Sequence, residues 1–292
     1  VSAALLDGKK LAQAIAASLA PRVAAVKAAR GAPPTLAIVA AQSEERDAVS
    51  YRKAQQKACE SAGLGCVVLA RPWTSAAEVL AALHEERGAD AVIIDRPLPP
   101  AVDLEDLYDA LPPSRDAEGA APASLGKLFA LKHYDDLRAQ RLPAPCTALA
   151  IAELLRSTHA PLAGKTAVVL GRSNIVGKPA AHLLSCLDLT VTLCHSRTRE
   201  LPRLVEQADV VVAALGRAGA VKASWIKPGA IVIDAGINAD GGKLVGDVEP
   251  AAAERAGHYT PVPGGVGPVT TAMLLANTVA LAERSLERKG QR

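Results

Sequence analysis

One short stretch constrains this chain more than any other. The apolar run Thr166–Leu170 leads straight into G-R-S-N-I-V-G at Gly171–Gly177, and a helical pattern starts near Lys178. A strand that ends in a glycine turn and opens a helix presents free backbone N–H groups to negative charge, and glycine lets the backbone approach a phosphate. The turn is therefore read as a dinucleotide cradle formed by Gly171, Arg172, Ser173, Ile175 and Val176. Its match to G-x-G-x-x-G is imperfect, because Ser173 stands where the second glycine belongs. Taken alone, a plain strand-to-helix turn also accounts for the string.

The rhythm around the turn favours the cradle. Strands are expected at Thr190–Cys194, Val210–Ala214 and Ala230–Asp234, with helices at Lys178–Leu187 and Leu201–Ala208. Upstream, Leu11, Ile15, Leu19, Val23 and Val26 recur at helical spacing within residues 8–30. Strands at Thr35–Ala40, Gly65–Ala70 and Ala91–Ile94 alternate with helices at Ala48–Ala62, which Gly63 stops, and Ser75–Glu86. A polar stretch, Leu111–Gly126, separates the two halves. A helix at Thr147–His159 joins them, and a last helix, Thr270–Arg284, is expected to pack back on the first. Alternation of this kind implies parallel strands joined by right-handed crossovers. The predicted fold is α/β in two domains, the C-terminal one Rossmann-like. The boundaries are 1–146, completed by 270–292, and 147–269. Half the residues are apolar, mostly Ala, Val and Leu, with 2% aromatic, which suits helices on parallel strands better than a β-sandwich.

The second strand of the C-terminal half decides between cofactors. NAD sites usually carry Asp or Glu about 20 residues after the glycine turn, to hold the ribose 2′-hydroxyl. Here the strand ends in His195, Ser196, Arg197 and Thr198, with no carboxylate before Glu200. Arg172 and Arg197 suit a 2′-phosphate through their forks of donors, so NADP is expected, although a solvated surface role fits either arginine. Ala214 and Gly216 end one further strand, and Gly236 and Ile237 follow another, at the edge where such sheets bind ligands.

Charge and cysteines exclude other classes. There are 33 Lys and Arg against 30 Asp and Glu, net +3 and scattered, which gives no support for a nucleic-acid partner. The five cysteines are odd in number and include no Cys-x-x-Cys pair, so neither a disulfide framework, nor a zinc site, nor any other metal is expected. No apolar run is read as a membrane span and no signal-peptide order is read at the start, so a soluble, cytoplasmic chain is expected.

Together these stretches resemble the bifunctional methylenetetrahydrofolate dehydrogenase/cyclohydrolases. The matching strings are Leu6–Lys9, Lys57–Glu60, Pro97–Pro99, Pro145–Thr147, Gly171–Pro179, His195–Thr198, Gly229–Asn238, Gly246–Val248 and Thr260–Thr270. They run in order along nearly the whole chain, and the last, T-P-V-P-G-G-V-G-P-V-T, is highly specific. The resemblance implies two α/β domains flanking a cleft and a homodimer formed through the nucleotide domain. It also implies NADP on the Rossmann-like domain and a folate-type substrate in the cleft. Hydride is removed from 5,10-methylenetetrahydrofolate, and the methenyl cation is hydrolysed to 10-formyltetrahydrofolate. Tyr51 matches the aromatic that stacks on folate, while Pro263, Gly264, Gly265 and Pro268 shape the cleft.

Departures concentrate on the folate side. Where the family has its catalytic Lys, four residues after Tyr51, this chain has Gln55. Lys53 and Lys57 do not share that face at about 100° per residue and are expected in solvent. The Gln that contacts the family's Lys aligns with Asp95, and the Asp that holds the pterin aligns with Glu118. The loop before Tyr51 reads Q-S-E-E-R-D-A instead of V-G-x-x-P-A-S, and Ala148-Leu149-Ala150 follow Pro145-Cys146-Thr147 instead of P-x-G. Gln cannot transfer protons, so hydrolysis should suffer most, while hydride transfer needs chiefly alignment. Asp95 is read either as a substitute base or as a carboxylate paired with Arg96 or Arg52. The expected activity is NADP-dependent methylenetetrahydrofolate oxidation with weak or absent cyclohydrolase. A diverged paralogue acting on another heterocycle and a non-catalytic nucleotide-binding subunit are the alternatives.

Overall fold

The computed structural model describes residues 3–42 and 46–290. In chain order the elements are β1 (Ala4–Leu5), α1 (Gly8–Arg30), β2 (Thr35–Ala41), α2 (Arg46–Ser61), β3 (Gly65–Arg71), α3 (Ala76–Glu85), β4 (Ala91–Ile94), α4 (Leu104–Ala110), α5 (Pro122–Phe129), α6 (Tyr134–Ala139) and α7 (Cys146–Arg156). They continue with β5 (Thr166–Leu170), α8 (Gly177–Ser185), β6 (Thr190–Cys194), α9 (Leu201–Gln207), β7 (Val210–Ala213), β8 (Ile231–Asp234), β9 (Asn238–Asp240), β10 (Lys243–Val245), β11 (His258–Tyr259) and α10 (Val266–Gly290). Two compact units result. One comprises Val1–Gln13, Phe129–Asp136 and Pro145–Met273; the other comprises Ala14–Leu128, Leu137–Ala144 and Leu274–Arg292.

The first unit is built on a six-stranded sheet in the order β1-β11-β8-β7-β5-β6, parallel throughout. Chain order reverses beside β5: the next strand, β6, lies on one side and β7 on the other. Such a switch point leaves a crevice outside the carboxyl ends of β5 and β7, where α/β sheets bind ligands. Strands β5, β7 and β8 read as near-continuous Val, Ile, Leu and Ala because helices cover both faces of a parallel sheet, and Val169, Val210–Val212 and Val232 are fully buried. Each such side chain contributes about 1.5–3 kcal/mol by leaving water. A short antiparallel hairpin, β9–β10, projects after β8.

The second unit has a three-stranded parallel sheet, β3-β2-β4. Ala37, Val39, Val92 and Ile94 pack with Val79 and Leu83 of α3 and Leu107 of α4. Gly63 ends α2 at φ +74°, the left-handed conformation expected of a helix-stopping glycine. The segment after α4 runs alongside β4: Val92 pairs with Asp116, and Asn277 holds the same segment by donating to the carbonyls of Ala117 (2.8 Å) and Ala144 (3.0 Å).

Three sequence expectations change. The polar stretch at 111–126, to which no element was assigned, contains the start of α5 at Pro122. Strands β1 and β11 went unread and extend the sheet of the first unit. One helix is long and apolar enough to cross a membrane, Val266–Arg288 within α10, contrary to the reading that no such run exists; 67% of its apolar window is buried inside the protein.

Candidate active site

In the first unit, strand register gathers the residues singled out around the glycine turn. Leu170 pairs with Cys194 on one side and Ala213 on the other, and Ala213 pairs with Asp234. The residues that follow therefore emerge side by side at one sheet edge: Gly171, His195, Ala214 and Ala235. Backbone bonds fix that alignment, from Gly171 N to Cys194 O (2.9 Å), Ala214 N to Leu170 O (2.8 Å) and Ala235 N to Ala213 O (2.8 Å). Gly171 sits at φ +116°, and a Cβ there would lie 2.1 Å from the Ala214 carbonyl oxygen. No larger residue fits while β5 and β7 keep this spacing.

Ser173, which breaks the glycine fingerprint, caps the helix instead. Its hydroxyl accepts from Val176 N (3.1 Å) and Gly177 N (3.4 Å), satisfying orphan donors at the start of α8. Among the described residues the amides of Arg172, Ser173, Asn174 and Ile175 have no hydrogen-bond acceptor. Free amides ahead of a helix N-terminus fit a diphosphate. Across β6, His195 N donates to Thr198 Oγ1 (2.9 Å) and Arg197 N to His195 Nδ1 (3.2 Å), so the turn carrying Ser196 and Arg197 is held from within. Arg172 and Arg197 are exposed and form no ion pair with the described residues. These observations fit a phosphorylated dinucleotide.

Two buried carboxylates organise the neighbouring loops, and sequence reading assigned them no role. Asp247 accepts from Leu215 N (2.5 Å), Gly216 N (3.0 Å), Arg217 N (2.8 Å) and Asn238 Nδ2 (2.9 Å). Asp234 accepts from Gly236 N (2.9 Å), Asp247 N (3.0 Å) and Val248 N (2.9 Å). Burial pushes the Asp234 carboxyl up, those N–H donors oppose the rise, and the charge of Asp247 adds to it. Gly246 and Gly236 are the signal that was available, because a Cβ on either would strike the carboxylate of Asp234 or Asp247 at 1.9 or 2.3 Å. Among these loops Ile237 is exposed. The Pro263–Gly265 turn and the first turn of α10, which carries Pro268, lie in the same unit, where the Gly265 carbonyl leaves no room for a Cβ on Gly8, so the start of α1 packs backbone to backbone on that turn. Asp7 caps that start by accepting from Lys9 N (2.9 Å) and Lys10 N (3.1 Å).

The second unit carries the other candidates. Along α2, Arg52, Gln55 and Cys59 face inward, while Lys53 and Lys57 are exposed as their helical angle requires. The side chain of Tyr51 lies outside the described residues. Gln55 is only 4% exposed, and neither its Oε1 nor its Nε2 has a hydrogen-bond partner. A buried amide with both ends unsatisfied costs about 1–3 kcal/mol per group, so it is either a strain carried for function or a site that a ligand completes. Three residues before it, Arg52 donates to Ala41 O (3.0 Å) and stands 4.0 Å from the Asp95 carboxylate. Asp95 thus has Arg52 as a charge partner. Burial still pushes the Asp95 carboxyl up, with Arg52 and Arg96 opposing.

Asp95 follows β4, its N–H donating to Val39 O (2.8 Å). Glu118 lies two residues beyond the Val92–Asp116 bridge and so comes level with Ile94, at the same edge. Tyr108 donates to Glu118 Oε2 (2.7 Å) and Arg96 reaches Oε1 (3.4 Å). Burial raises the Glu118 carboxyl, with Arg96 and the Tyr108 hydroxyl opposing. Tyr108 was not singled out from sequence, since nothing in its local pattern marks it, and Arg96 was read only as a possible partner of Asp95. Among the described residues no cluster of His, Cys, Asp and Glu is arranged to hold a metal ion.

A parallel sheet whose switch point carries a glycine turn, free amides and two unpaired arginines defines a dinucleotide-binding α/β protein. Comparison with known proteins narrows the class. Two family models match: the tetrahydrofolate dehydrogenase/cyclohydrolase catalytic domain over residues 6–118, and the NAD(P)-binding domain of the same family over 145–286. The chain belongs to this family. It is 44% identical to the bifunctional protein FolD of Rhodospirillum rubrum, over 96% of this chain and 97% of the relative. It is also 44% identical to that of Magnetococcus marinus, over 96% and 98%. Among solved structures it is similar to the FolD methylenetetrahydrofolate dehydrogenase/cyclohydrolase of Campylobacter jejuni, with TM-score 0.89, 33% identity and coverage of 97% and 100%. The Trypanosoma brucei FolD, solved with NADP cofactor and inhibitor, gives TM-score 0.87 and 35% identity, covering 98% and 99%.

Proposed function

We propose that this protein is an NADP-dependent methylenetetrahydrofolate dehydrogenase that keeps its family's hydride transfer and has little of its cyclohydrolase activity. NADP, when bound, supplies the nicotinamide that accepts hydride. The amides of residues 172–175 would hold the diphosphate, and Arg172 and Arg197 the 2′-phosphate. Ile175, Val176, His195, Ser196, Thr198, Ala214, Gly216, Gly236 and Ile237 complete the proposed cofactor surface, most of them at the sheet edge described above. Tyr51 stacks on the folate-type substrate and Glu118 binds its pterin, with Pro263, Gly264, Gly265 and Pro268 shaping the site.

The observation that carries the functional split is Gln55, buried with both amide atoms unpartnered at the position of the family's catalytic lysine. An amide orients a substrate by donating and accepting, and moves no proton. Hydrolysis of the methenyl cation needs an activated water and a proton acceptor; removal of hydride needs neither. Asp95 places negative charge beside the reacting carbon, which favours the cationic product over its neutral precursor, and Arg52 offsets part of that charge. Its tie to Arg52 argues for a positioning role over that of a base. A cytoplasmic homodimer is the proposed working form. The test is Gln55→Lys: 10-formyl product should rise while NADPH formation is retained. A variant that binds NADP, forms NADPH and gains no hydrolysis would show that the pocket, and not the missing lysine, is the limit.

A further inference from the structure

The second unit carries a solvent-open cavity of about 480 Å3 at the end of β4 opposite the candidate substrate residues. Asp90 and Arg115 line it just before β4 and its neighbouring segment, whereas Asp95 and Glu118 lie at the other end. Four strand residues separate the two ends, about 13 Å. Five arginines line the cavity, Arg30, Arg87, Arg115, Arg284 and Arg288, against one carboxylate, Asp90.

That carboxylate is already used. Arg30 grips Asp90 through two bonds of 2.5 and 2.6 Å. Arg115 closes the end of α3 by donating to Leu83 O (2.7 Å) and Glu86 O (3.0 Å), yet its Nε is buried without a partner. Basic residues at helix C-termini normally answer the helix dipole, and these two do so. The remaining three gather at helix ends as well, Arg87 just past α3 and Arg284 and Arg288 in the last two turns of α10. Among the described residues Arg284 reaches a single carbonyl, Arg141 O, at 3.5 Å, and Arg87 and Arg288 form no ion pair. The acids beside Arg284 and Arg288 along α10 are engaged elsewhere, Glu283 with Arg22 and Arg141 and Glu287 with Arg141. Burial lowers the Arg115 guanidinium, with Glu86 and Asp90 opposing; burial also lowers Arg284, Arg288 and Arg141 add to that, and Glu287 opposes it. Arg284 is repelled by Arg288, which lines the same cavity, and an anion held between them would relieve that repulsion and stabilise the fold.

We propose that this cavity is a binding site for a compact multivalent phosphate. Guanidinium forks match phosphate oxygens in pairs, and the volume falls within the usual range for small-molecule sites. Apart from His84 no ring lines it, so a nucleobase would find little to stack on. The shared chemistry could come from a free polyphosphate or a sugar bisphosphate.

The experiment is isothermal titration of the full chain saturated with NADP, so that the nucleotide turn is filled, using inorganic tripolyphosphate, fructose 1,6-bisphosphate and tetra-γ-glutamate in parallel. At least one phosphate probe should bind once per chain, and the better binder identifies the source. The Arg284→Gln/Arg288→Gln variant should weaken that binding tenfold or more without changing NADP affinity. Arg87→Gln, an exposed single change, should weaken it severalfold and guards against misfolding of the double variant. Failure of both phosphates, binding unchanged in both variants, or equal binding of tetra-γ-glutamate would overturn the proposal.

Discussion

Replacing Asp247 by alanine should loosen the cofactor loops and destabilise the first unit by an amount that can be worked from its bonds. The carboxylate is fully buried and accepts four hydrogen bonds, three from consecutive backbone N–H groups at 215–217 and one from Asn238. Bonds to a charged group are worth about 1.5–3 kcal/mol each, and a donor left buried costs about 1–3 kcal/mol. Gly216 and Arg217 are exposed, so water can replace the carboxylate for those two donors. Leu215 N and the Asn238 amide are half-buried and lose more. Relief of the repulsion between Asp247 and Asp234 returns part of the loss. The expected net is about 3–4 kcal/mol, within the range for breaking a buried polar network. Urea unfolding of NADP-free protein reads the stability, and the KM for NADP reads the loop, which should bind cofactor several times more weakly. Asp247→Asn keeps one acceptor oxygen and should lose roughly half as much stability. A loss under about 1 kcal/mol with an unchanged KM for NADP would refute the role given to this carboxylate.

The remaining expectations concern charge and proton movement. Arg172→Ala and Arg197→Ala should each raise the KM for NADP by about 10–100-fold, the loss of one charge-assisted contact, and leave the KM for NAD nearly unchanged; equal effects on both cofactors would remove the 2′-phosphate assignment. Glu118 has a raised folded-state pKa, so its burial costs nothing at low pH, where it is protonated in both states, and costs stability as pH climbs from the unfolded value through the folded one. Glu118→Gln should therefore melt at a higher temperature than the parent at pH 8 and at nearly the same temperature at pH 4; a gap that does not widen with pH contradicts the assigned cause. Asp95→Asn should behave alike in stability, and pH-independent melting differences would sink that reading too.

Much of the nucleotide-binding half was legible because its signals are local. An apolar strand, a glycine and a helix in sequence need no distant partner to be recognised, and Gly171 is there because β7 leaves no room for a side chain. Ser173 was legible as a departure but not as a cap, since its value depends on the amides of Val176 and Gly177 folding back to it. Strands β1 and β11 span two residues each, too short for any periodicity, and exist only because a neighbouring strand pairs with them. Asp247 and Asp234 look like ordinary loop and strand-end acids; what makes them structural is donors more than ten residues away along the chain. On the folate side, Gln55 was visible through its spacing from Tyr51, whereas the pairing of Asp95 with Arg52, and of Glu118 with Tyr108, required the packing of α2, β4 and α4.

The central claim is that hydride transfer and hydrolysis have been separated at Gln55. The most direct measurement follows NADPH, methenyltetrahydrofolate and 10-formyltetrahydrofolate together, in one reaction of the purified protein with NADP and 5,10-methylenetetrahydrofolate. NADPH should form with a matching quantity of methenyl product, and 10-formyl product should appear no faster than in a control where pre-formed methenyltetrahydrofolate stands without protein. Formation of 10-formyltetrahydrofolate in step with NADPH, or no NADPH at all, would contradict the account.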